Sequence, residues 1–126
     1  MRAPEPINAV RVVAHAATLN GLSWPDGAAV LRLAVDDLLV IGAASAELAD
    51  EAAIIEDERG FVGWWLTPGE VREKVLPHIE WPLPSARPAL AQGLIAGVPA
   101  RLWLGEDRAL LLCAAAYAHE LEERLP

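Results

Sequence analysis

Few residues in this chain could do chemistry, and their spacing limits what that chemistry would be. Cys113 is the single cysteine, so neither a disulfide within the chain nor a cysteine-based zinc site can form. It stands between Leu110-Leu111-Leu112 and Ala114-Ala115-Ala116, a setting for a buried, inert thiol rather than a low-pKa nucleophile. His15, His78 and His119 read as structural or surface residues, because none shows the spacing to a carboxylate or second histidine that a metal site or a triad needs. Gly60-Phe61-Val62-Gly63 lacks the third glycine and the Lys or Ser of a phosphate-cradling loop. The carboxylates of Asp36-Asp37, Asp50-Glu51, Glu56-Asp57-Glu58 and Glu120-x-Glu122-Glu123 fall in expected turns or on solvent faces, and Glu56 to Gly60 supplies too few ligands for a calcium loop. No catalytic residue and no metal ligand is assigned, and no nucleotide is expected.

The five tryptophans are the better clue. Trp64 and Trp65 are adjacent in an expected strand, so their side chains must point to opposite faces of the sheet. One of them enters the core. The other is either exposed as a binding hot spot or covered by the N-terminal segment, and Trp81, in a proline-rich connection, could join an exposed patch. The candidate partner-binding residues are therefore Trp64, Trp65, Trp81 and Trp103.

The elements that must position these residues follow from pattern. Ala29 to Gly42 reads as two apolar runs around the acidic turn Asp36-Asp37, a β-hairpin. Ala43 to Ala52 favours helix, with Ser45 as an alternative cap. Ile54 to Leu66 reads as strand, polar turn, strand. Thr67-Pro68-Gly69-Glu70 then carries a capping box with proline at the first helical position, and Val71, Val75 and Leu76 supply the buried face until Pro77 stops the helix. Pro77 to Pro88 is an extended surface connection leading into a strand at Ala89 to Ile95, after which Gly97-Val98-Pro99 turns the chain. A hairpin of Ala100 to Leu104 and Ala109 to Cys113 follows, then a helix with Tyr117, Leu121 and Leu125 as its apolar stripe. Setting Leu31-x-Leu33 on Leu102-x-Leu104 and Asp36 on Asp107, with a one-residue insertion before the Leu-Leu pair, aligns two related strand-strand-helix halves. The expected fold is α+β: an antiparallel sheet with helices packed on one face, a pseudo-repeat with a ferredoxin-like possibility.

Composition bounds the class. With 126 residues, 54% hydrophobic and 22% charged, the chain is expected to form one domain, residues 1–126, with ample core. A formal charge of −8 and basic residues scattered from Arg2 to Arg124 disfavour nucleic acid. No apolar stretch reaches the roughly 18 residues of a membrane span, and Met1 to Pro6 lacks the apolar block of a secretory signal. A cytoplasmic location follows as an expectation.

From Ile54 to Leu125 the order of features resembles the gamma subunit of heterotetrameric sarcosine oxidase and, more broadly, the folate-binding fold of the glycine-cleavage T-protein. The resemblance is carried by Glu56-Asp57-Glu58-Arg59-Gly60, Leu66-Thr67-Pro68-Gly69-Glu70-Val71, Ala91 to Trp103 and Ala114-Ala115-Ala116-Tyr117-Ala118-x-x-Leu121. Upstream, Leu31 to Leu39 is similar to the family's segment that ends in an Asp-acid-Trp-Leu-Leu run, with Leu38 in place of Trp. The resemblance implies a non-catalytic accessory subunit, without flavin or nucleotide, in an assembly that oxidises sarcosine and passes a one-carbon unit to tetrahydrofolate. It implies no cofactor bound directly, tetrahydrofolate being possible through the resemblance alone. A protein partner is one reading; a free-standing binder of a folate-like flat molecule and a homo-oligomer formed through an exposed strand face are the others.

Overall fold

The computed structural model describes residues 1–43 and 53–126. The helix expected over Ala43–Ala52, with Ser45, lies outside the described residues except for Ala43. The fold is α+β, with two antiparallel sheets and short helices. The chain forms two compact units, residues 7–59 and residues 1–6 with 60–126.

The first unit is built on β2 (Ala9–Val13), α1 (Ala16–Asn20), β3 (Ala29–Ala34), β4 (Asp37–Ile41) and β5 (Ile54–Glu58). They form one sheet in the order β3-β4-β2-β5. Alternation sorts the strands: Val10, Val12, Leu38 and Val40 pack with Leu19 of α1, and Val30 and Ile55 lie against the same cluster. The expected β3–β4 hairpin is present, closed around Val35-Asp36. On the opposite face of the sheet Arg11 donates to Asp37 through Nε at 3.0 Å and Nη2 at 2.6 Å and lies 3.8 Å from Glu58. Asp37 raises the Arg11 pKa by accepting these bonds, against the opposing effect of burial. A bidentate guanidinium–carboxylate pair of this kind locks the pairing of neighbouring strands.

The second unit contains β1 (Glu5–Pro6), β6 (Phe61–Leu66), β7 (Ala89–Ile95), β8 (Val98–Leu104) and β9 (Ala109–Ala114). Their order is β1-β6-β9-β8-β7. The strand, turn, strand reading of Ile54 to Leu66 places its two strands correctly, yet they do not pair: β5 pairs with β2, and β6 with β1 and β9. The polar turn Arg59-Gly60 is instead the boundary between the two units.

Helices cover one face of this second sheet. Thr67 caps α2 (Pro68–Glu70): its hydroxyl accepts from the Glu70 N–H at 3.1 Å, and the Glu70 carboxylate accepts from the Thr67 N–H at 3.1 Å. The segment then widens into a π-turn over Val71–Val75 and tightens into a 3-10 turn at Leu76–His78. The π-turn rotates the face, so Val71 and Val75 are buried while Leu76, expected in the core, is exposed. At the C-terminus a 3-10 turn at Ala115–Tyr117 precedes α3 (Ala118–Arg124). Leu121 and Leu125 are buried as expected. Tyr117 leaves the stripe, because the 3-10 turn changes its angular position, and is 41% exposed. The core beneath joins Trp64, Leu66, Val71, Val75, Ile95, Leu102, Leu111, Leu121 and Leu125.

Candidate functional site

The chemical groups are placed where they do little. Cys113 lies in the core of the second unit, and burial pushes its thiol up to about 11. Its thiolate is therefore scarce near neutral pH. Among the described residues no cluster of three or more His, Cys, Asp or Glu is arranged to hold a metal ion. His119 is on the solvent side of α3, where Nε2 lies 3.1 Å from the Glu123 carboxylate at i,i+4. His119 thus does have a carboxylate at helical spacing, contrary to expectation, but an exposed pair of this kind contributes little.

The tryptophans divide as adjacent strand residues must. Trp64 is the inward one, 1% exposed, with Nε1 donating to the carbonyl of Arg2 at 2.7 Å. Trp65 points to the opposite face and is half-buried: it meets Trp103 edge-on at a centroid distance of 6.2 Å, and the Arg108 guanidinium lies 4.1 Å above its ring. Trp103 is itself buried, as are Leu110 and Leu112 on the same face. Within its own unit the N-terminal segment meets this strand through Arg2, whose guanidinium donates to the Trp65 carbonyl and to Glu70. Trp81 packs partly against the core of the same unit, and its Nε1 donates to the Leu94 carbonyl at 3.2 Å. The structure thus brings Trp65 and Trp103 together, and keeps Trp64 and Trp81 apart from that pair.

Among the described residues of the second unit the large apolar side chains that stand exposed are Leu76, Leu94 and Tyr117, and Leu94, the most exposed, is on the edge strand β7. β7 has β8 as its sheet neighbour and is the last strand of the order. In β7 the residues Ala91 and Ile95 are buried, so Leu94 lies on the opposite phase and is 58% exposed. The bond from Trp81 Nε1 shows that the Leu94 carbonyl points away from β8. That carbonyl is taken by Trp81, so what the strand offers a partner here is the exposed Leu94 side chain.

Two grooves flank Leu94. One, of about 460 Å³, is lined by Pro77, His78, Ile79, Trp81 and Gly97 among others. The other, of about 400 Å³, lies at the lower end of the sheet and includes Phe61, Gln92, Arg101, Ala114 and Tyr117. Its origin is a divergence of strands. Pairing of β8 with β9 ends at Arg101 and Leu112, while β8 continues along β7 and β9 continues along β6. None of these lining residues except Trp81 is among the tryptophan candidates. The signal that could have found them is the phase of β7, where Gln92 and Leu94 fall opposite Ala91, Gly93 and Ile95.

No helix among the described residues is long and apolar enough to cross a membrane. A comparison with protein-family models finds none that matches, and a comparison with curated proteins finds no similar chain.

Proposed function

We propose that this chain is a non-catalytic accessory subunit or interaction domain of the kind it resembles, the gamma subunit of heterotetrameric sarcosine oxidase, docking through the outer edge of β7. The partner class comes from the resemblance; the surface comes from the geometry. The observation that supports it most is Leu94, a leucine more than half exposed on an edge strand. A partner that covers this side chain gains the burial of its apolar area.

The test is co-migration. Purified chain is mixed with the other subunits of a heterotetrameric sarcosine oxidase and examined by size exclusion with light scattering. The proposal expects a complex with one copy of this chain, and no sarcosine oxidation by the chain alone. A chain that stays separate from those subunits, or that forms a tight dimer by itself, overturns it.

A further inference from the structure

We propose that the groove between the diverging ends of β8 and β9 binds a small planar aromatic carboxylate, with Arg101 and Gln92 holding the carboxylate and Phe61 and Tyr117 flanking the ring. The register builds this site. On the face opposite the helices, Gln92 pairs with Arg101 and Arg101 with Leu112; one step further down, Leu94 pairs with Pro99, and Ala114 with Phe61. The lower row therefore places two compact residues, Pro99 and Ala114, between the larger Phe61 and Leu94. They form a floor between two apolar walls, and Tyr117 lines the same groove.

The polar end is set for an anion. Arg101 Nε donates to Gln92 Oε1 at 3.2 Å. This bond fixes the direction of the Gln92 amide, because its oxygen accepts and its Nε2 is left as a donor. Among the described residues the two Nη nitrogens of Arg101 make no hydrogen bond, and its guanidinium lies 5.8 Å from the centre of the Phe61 ring. Guanidinium and amide donors thus stand side by side, with an aromatic face next to them. A carboxylate satisfies such donors with charge-assisted bonds, and an attached ring lies against Phe61. A volume of about 400 Å³ is within the range of small-ligand sites. All the lining residues are in this chain; Leu94, one of the walls, is also the docking residue proposed above, so the ligand is tested on the chain alone.

The experiment is calorimetric titration of the chain alone with indole-3-carboxylate, compared with the neutral indole-3-carboxamide, and amide chemical-shift mapping by NMR. One-to-one binding is expected, with shifts at Phe61, Gln92, Arg101 and Tyr117, and with the carboxamide weaker by about tenfold or more, as the loss of a charge-assisted bond requires. Arg101→Met is expected to weaken the carboxylate by a similar factor, and Ala114→Leu to abolish binding by filling the floor, both variants retaining the wild-type circular dichroism spectrum. The carboxylate–carboxamide comparison on the wild-type protein decides the matter if either variant fails to fold. No binding at millimolar carboxylate, equal affinity for the two ligands, or shifts confined to other residues would overturn the proposal.

Discussion

The Trp81 indole occupies the space that a side chain at Gly93 would need: a Cβ added there would stand 2.8 Å from Trp81 Nε1 and 3.1 Å from Cε2. The same Nε1 holds the Leu94 carbonyl. Gly93 therefore lets the proline-rich connection lie flat on β7. Gly93→Ala is expected to destabilise the protein by about 1–3 kcal/mol through overpacking. In Trp81→Ala the added methyl should cost much less, because its obstacle is gone. Urea denaturation of the four members of this cycle measures the coupling, and strict additivity would show that Trp81 does not rest on Gly93.

Trp64 and Trp65 should respond differently to truncation. Trp64→Ala removes a buried ring and is expected to cost about 3–5 kcal/mol. Trp65→Ala removes a half-buried ring with one edge-on aromatic contact and one cation contact, together about 1–3 kcal/mol. Equal losses in chemical denaturation would contradict the inward and outward placement of the pair.

The two-faced reading of Trp64-Trp65 was legible because a strand alternates whatever lies around it. The capping box at Thr67 and Glu70 was legible for a similar reason, since it is local chemistry. The repeat was legible only in outline. Aligning Leu31 with Leu102 pairs two buried residues, but Leu102 faces the helix side of its sheet, whereas on β3 it is Val30 that packs with α1, and Leu31 points the other way. The β3–β4 register also shifts between Arg32 and Ala34, and a single-residue irregularity of this kind leaves no mark in composition. The groove at Phe61 and Arg101 was not legible, because it depends on where two strands cease to pair. Tyr117 and Leu76 left their expected stripes for a related reason: π- and 3-10 turns break the regular helical period on which the stripe was drawn.

The capping box also gives a pH dependence. The Thr67 N–H, followed by the Arg2 side chain, holds the Glu70 carboxyl below its ordinary value of 4.5. Because the folded value is the lower one, this stabilisation is complete above the ordinary glutamate range and is lost as pH falls through the folded value. Urea midpoints measured from neutral to acidic pH should fall less steeply for Glu70→Gln than for the wild type. Parallel profiles would mean that Glu70 is not held in this way. Thr67→Ala is expected to cost about 1 kcal/mol at neutral pH.

Cys113 should behave as a core residue. With its thiol pushed up to about 11 by burial, the native protein is expected to react with an aromatic disulfide reagent only as fast as it opens, and promptly in denaturant. Cys113→Ser places a hydroxyl in an apolar site and should destabilise by about 1–3 kcal/mol. Rapid native-state labelling near neutral pH would contradict the burial of the sulfur.

The docking claim rests on Leu94, and its most direct test is the affinity of two single variants for the other subunits of a sarcosine oxidase. Leu94→Asp puts a charge on the outer edge of β7. Val35→Asp puts the same charge on an equally open position, 74% exposed in the turn between β3 and β4. Measured by calorimetry beside the wild type, Leu94→Asp is expected to weaken binding by about tenfold or more, as loss of an apolar hot spot does, while Val35→Asp binds as the wild type does. Equal affinity of all three proteins would place the docking surface elsewhere and contradict the account.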